Sequence, residues 1–183
     1  MDINQSFFSM LRNSKKYRDL YKTIEGRISI LSSVVLSCFI ARYLVAKPVE
    51  DINDFLMNIS LIFIPCLIAL LGITFTGLAF VSGTVSLKAT KNLLKKNKIQ
   101  SLISIFFTFY FLGWIIAITI FLYIVVFIAA ISDFVINFWT AFIISLLIIY
   151  FTLFIILYSV GLFDTCIKIF FVNYKYNEDD NDN

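Results

Sequence analysis

Histidine is absent from this chain, and cysteine occurs three times, at Cys38, Cys66 and Cys166, each alone among apolar residues. There is no CxxC pair and no cluster of ligating side chains, which argues against a zinc or iron–sulfur centre. Isolated cysteines of this kind read as small hydrophobic core residues. No glycine-rich phosphate loop is present, no nucleophile stands beside a base, and no carboxylate pair lies inside an apolar run. The sequence therefore points away from an enzyme, and no cofactor or metal is expected. Deep ionisable residues and interrupted helices are also missing, which disfavours coupled transport. The first apolar run starts late and lacks a small-residue cleavage site, unlike a secretory leader.

What is abundant is apolar sequence. Hydrophobic residues make up 60% of the 183 positions, against about 45–50% in soluble domains, and the mean hydropathy is +0.91. Four long stretches carry it: 27–46, 55–87, 99–132 and 134–163, the last three without a charge. A spanning helix needs about 20 residues. The expected fold is an all-α integral membrane protein with four transmembrane helices, placed at about 27–46, 55–96, 100–131 and 136–173. A basic segment at 1–26 precedes them and an acidic, disordered tail at 174–183 follows.

Charge sets the orientation. The first 27 residues carry Arg12, Lys15, Lys16, Arg18, Lys22 and Arg27. Lys88, Lys91, Lys95, Lys96 and Lys98 follow the second. The other two connections hold Glu50, Asp51 and Asp54 with one lysine, and Asp133. Basic flanks stay cytoplasmic, so both termini are expected inside. Arg42, near the outer end of the first helix, is expected to snorkel outward and pair with Glu50 or Asp51.

Three helices are too long for the bilayer. The third run has 34 uncharged residues, about 51 Å of helix against about 30 Å of hydrocarbon. Counting from the outer ends places inner interfaces near Tyr110 to Trp114, Phe80 and Tyr158, with Trp139 at the outer interface. The second to fourth helices are thus expected to project into the cytoplasm. Their projecting surface is still apolar and calls for cover by neighbouring helices or by other protomers. "KKNK" reads as the tip of a hairpin, with Asn97 ending one helix and Ser101 capping the next.

The second helix carries Ala69, Gly72, Thr76, Ala79, Gly83 and Ser86, small residues spaced 3 or 4 apart along one seam. Small residues let helices approach closely in lipid. Two readings stand: a packing seam, or the hydroxyl-bearing wall of a narrow path at an oligomer axis. Lys88, Lys91, Lys95, Lys96 and Lys98 then offer contact to anionic lipid, or to a nucleotide, an oligonucleotide or a cytoplasmic partner protein. Asp164 and Lys168, four residues apart, are placed to pair on one helix face and form a candidate gating pair. The segment 7–24 places Phe7, Leu11, Tyr17, Leu20, Tyr21 and Ile24 roughly along one face, as a helix lying on the inner membrane surface would. The many aromatics read as lipid contact and core packing.

In its plan of four helices and a basic cytoplasmic loop, the chain resembles small bacterial membrane proteins of anti-phage defence, the membrane effector of the Hailong system and the membrane subunit of the Kiwa system. The resemblance implies a homo-oligomer, with a tetramer favoured, in the bacterial inner membrane. It further implies control by a cytoplasmic partner or by a nucleotide product of that partner. The leading expectation is a channel or membrane-perturbing effector gated from the cytoplasmic side. The alternative is a non-conducting sensor or anchor that recruits a partner through its basic face.

Overall fold

The computed structural model of the protein describes residues 19–84, 99–132 and 138–178. Ser86, the lysines from Lys88 to Lys98, Asn97, the first 18 residues and the end of the acidic tail lie outside them.

The described chain is all helical: α1 (Asp19–Lys22), α2 (Ile24–Val45), α3 (Val49–Thr84), α4 (Ile99–Ile131) and α5 (Phe138–Glu178). The last four are each long and apolar enough to cross a membrane. At 1.5 Å per residue, the 36 residues of α3 span about 54 Å. The 41 residues of α5 span about 62 Å.

Helix boundaries follow local chemistry. Thr23, extended at φ −69° and ψ 159°, caps α2 by accepting from the Gly26 amide through its hydroxyl. The turn between α2 and α3 is shorter than the eight-residue "KPVEDIND" connection expected, because α3 starts at Val49. Glu50, Asp51 and Asp54 are helical. Pro48 has no amide to lose at a helix start, its carbonyl accepts from the Ile52 amide, and the carboxylates favour the positive end of the helix dipole. Asp51 pairs with Lys47 at 3.6 Å, while Arg42 is exposed. Ser101 lies inside the first turn of α4, so it does not occupy the cap position. α5 continues to Glu178, past the expected end at 173.

Successive helices run antiparallel, as three contacts fix for α3 and α4. Phe63 stacks on Tyr123 with centroids 5.4 Å apart, Leu71 lies beside Gly113, and Gly77 faces Phe109. In α2 and α5, Glu25 lies against Gly161, and the cluster of Ala41 and Leu44 takes in Phe142. The bundle is two tightly packed pairs, α2 with α5 and α3 with α4, joined more sparsely through α4 and α5. α2 and α3 meet mainly near their connecting turn, where Tyr43 tilts against Phe55 at 5.7 Å.

The main core lies between α3, α4 and α5 and includes Leu112, Ile116, Phe154 and Ile155, all fully or almost fully buried. On α5, Tyr150, Phe154 and Tyr158 form a ladder with centroid spacings of 6.2 and 5.0 Å. Leu20 of α1 packs against this core, and its carbonyl accepts from the Tyr150 hydroxyl at 2.7 Å. Tyr150 precedes Gly161 by eleven residues, about 16 Å of helix. Since Glu25 lies at Gly161, α1 turns back along the bundle.

Gly77 of α3 leaves room for the ring of Phe109 of α4. A Cβ there would stand 2.8 Å from Cε1 of Phe109, a ring only 4% exposed. Gly77→Ala should destabilise the detergent-solubilised protein by about 1–3 kcal/mol, read as a lower thermal midpoint. Gly72→Ala, with nothing within 4 Å, should not lower it.

Candidate functional site

α3 has two opposed faces. Leu67, Thr74 and Val81 are buried, with Leu70, Leu71, Gly77 and Leu78 partly so. At 100° per residue these fall on one side of the helix. Ala69, Gly72, Thr76, Ala79 and Gly83 fall on the other, about 180° away, and all five are exposed. Gly72 and Gly83 have nothing within 4 Å of a built Cβ. The seam thus packs against nothing among the described residues of the protomer. Ile68, Ile73, Phe75 and Phe80 are exposed beside it, so it is a trough between bulky walls. The Thr76 hydroxyl donates to the Gly72 carbonyl at 2.9 Å, and Ser82 to the Ala79 carbonyl at 2.8 Å. Their protons are engaged within the helix, leaving the trough mainly methyl groups, methylene hydrogens and hydroxyl lone pairs.

The seam that closes the protomer is on α2. Gly26, Ser29, Ser33, Ser37 and Ala41 are buried at spacings of 3, 4, 4 and 4, on the helix that packs most closely along α5. The small-residue repeat was present in the sequence but was outshone by the glycine-rich stretch of α3. Ser29 and Ser33 return their hydroxyl protons to the carbonyls of Glu25 and Ile30, which removes the cost of carrying polar groups into the contact.

Asp164 and Lys168 do pair, at 2.6 Å, with both side chains mostly exposed. Cys38 and Cys66 are exposed on outward faces of α2 and α3, contrary to the expected core positions, and Cys166 is partly buried against the core. Lipid accepts a thiol as readily as a core does, so apolar surroundings in sequence do not fix the side it faces. Tyr110, Trp114 and Trp139 are exposed, as side chains that anchor at interfaces must be. Among the described residues, no group of three or more His, Cys, Asp or Glu could hold a metal ion.

A polar group not foreseen from sequence lies inside the bundle. The Tyr123 and Thr152 hydroxyls meet at 3.2 Å, and the Thr152 proton goes to the Ile148 carbonyl at 2.8 Å, so Tyr123 donates. The fully buried Ser60 hydroxyl finds no partner among the described residues.

No family model, curated protein or solved structure matches the chain.

The two seams differ in a measurable way. Ser33→Leu, on the buried seam, should destabilise the solubilised protein by about 1–3 kcal/mol through overpacking. Gly72→Leu, on the open seam, should shift its stability by no more than about 0.5 kcal/mol. Thermal midpoints in a detergent that keeps the protein monomeric check both.

Proposed function

We infer that this protein is a homo-oligomeric membrane effector or channel of the bacterial inner membrane, gated from the cytoplasmic side and acting on membrane integrity. The observation that carries this reading is the uncovered trough of α3. Only 11% of the most apolar stretch of α3 is buried within the protomer, against 28%, 28% and 33% for α2, α4 and α5. In lipid, a row of small residues between bulky ones favours contact with another helix by close backbone approach, and a second copy supplies such a helix. Length supports it too. α3, α4 and α5 exceed a hydrocarbon core of about 30 Å, and the positive-inside rule places their surplus in the cytoplasm. A closed ring of protomers, a tetramer in the favoured form, covers that apolar surplus.

Control from the cytoplasm rests on the charge pattern. Lys88, Lys91, Lys95, Lys96 and Lys98, multiplied by protomers, make a ring suited to anionic lipid, to a nucleotide or oligonucleotide, or to an acidic partner protein. Asp164 and Lys168 sit near the cytoplasmic end of α5 in this orientation, where separation of the pair would accompany gating. The role in anti-phage defence rests on the four-helix plan shared with the defence proteins named above.

The test is a voltage-sensitive dye in expressing cells. The effector reading expects depolarisation, lost in Gly83→Leu and altered in Asp164→Asn. An intact membrane potential, together with copurification of a soluble protein through the basic tip, would overturn it in favour of a sensor or anchor.

A further inference from the structure

Between the α2/α5 pair and the α3/α4 pair lies a cavity of about 470 Å³, within the range of roughly 300–1,000 Å³ seen for ligand sites. All four spanning helices contribute. Its walls are almost wholly aliphatic and aromatic, with Ile40, Phe55, Ile59, Ala129 and Ile148 among them. Leu36, Ile144 and Ile156 also border it and are exposed, so it opens sideways from the bundle. In a membrane that side is lipid.

Five hydroxyl-bearing residues line it: Ser60, Tyr123, Thr140, Ser145 and Thr152. Ser145 donates to the Phe142 carbonyl, and Tyr123 and Thr152 satisfy each other and a backbone carbonyl, as above. Ser60 has no partner among the described residues. Elsewhere in these helices, Thr74, Thr119 and Ser159 each return a proton to the carbonyl four residues earlier. A buried hydroxyl without an acceptor costs about 1–3 kcal/mol, and an aliphatic cavity does not hold water well. What fits is a molecule that is mainly hydrocarbon and carries one hydrogen-bond acceptor.

We propose that this cavity binds a lipid, with an acyl chain against the aliphatic wall and a carbonyl oxygen accepting from Ser60. The bilayer supplies that chemistry at high concentration on the open side. The carbonyl can belong to a phospholipid ester or to a free fatty acid. Neither the trough of α3 nor the oligomeric reading is needed for this site, since the trough lies on the other face of the helix.

The test uses two photoactivatable lipids with a diazirine in mid-chain, one a phospholipid and one a free fatty acid, each added to the full-length protein in nanodiscs. Crosslinked peptides are mapped by mass spectrometry. Labelling concentrated on Leu36–Ile40, Phe55–Phe63 and Tyr123–Ala129 supports the site, and the probe that labels identifies the source. Labelling spread evenly over outward residues such as Ile118 and Phe121 overturns it. Ala129→Phe, which fills the cavity, should cut cavity labelling about tenfold or more, the scale of a few lost methylene contacts. Outward labelling in the same sample is the internal standard for an intact fold. Ser60→Ala should weaken retention of the carbonyl-bearing probe without weakening that of a diazirine alkane. Equal labelling of the wild type and Ala129→Phe counts against the proposal.

Discussion

In hydrocarbon a leucine side chain gains little by leaving its solvent, so helices stay together where backbones come close or polar atoms meet. The packing of this protein follows from that constraint. α2 lays a row of glycine, serine and alanine along its buried face, and its pairing with α5 is the most extensive among the described helices. α3 approaches α4 at Gly77 and Gly113, where missing or minimal side chains let Phe109 and Leu71 fill the gap. The hydroxyls on these faces mostly bond to their own helix, as Ser29, Thr74 and Thr119 do. Those hydroxyls enter apolar surroundings without an unmet donor, whereas Ser37 of α2 and Ser60 of α3 are buried with no partner among the described residues.

The same constraint explains why the two pairs are joined less firmly than each is within itself. α2 offers its small residues along the face that packs on α5 and turns Leu31, Val35 and Phe39 outward. Without a drive toward apolar collapse, such residues are as stable against lipid as against α3. Tyr123 is one cross-brace, within the core that α4 shares with α5. It stacks on Phe63 of α3 and donates to Thr152 of α5, so one residue of α4 ties three helices. Beyond it, toward the connection of α2 and α3, the pairs separate and the cavity opens.

Sequence alone revealed the four spanning helices, their excess length and the Asp164–Lys168 pair, because each depends on runs or spacings within one element. It also located the small residues of α3. It did not tell which side of α3 faces α4, since in a membrane both sides are apolar and the usual contrast between core and solvent vanishes. Gly77, set between the residues of the open seam, is the glycine that packs, and its neighbours in sequence gave no sign of it. The serines of α2 had a readable repeat but lacked glycine at its centre. Ser60, Tyr123 and Thr152 come from three helices, and no spacing within one helix brings them together. The short turn after Ala46 was hidden by its charges, which read as loop although three acids suit the first turns of a helix.

α3 divides into two stretches with different surroundings. From Phe55 to Phe63 it borders the cavity. From Leu67 to Val81 it is packed on α4 and carries the trough on its back. A surface for self-association gains from rigidity, since ordering costs subtract from affinity, and the trough proposed for that role lies on the stretch packed on α4. A site for lipid chains gains from give, and the cavity lies where the pairs diverge. Pro65 sits between the two stretches, inside the helix. It has no amide to donate, so the helical ladder lacks one hydrogen bond there. Pro65 thus marks the boundary between the stretch that borders the cavity and the stretch packed on α4.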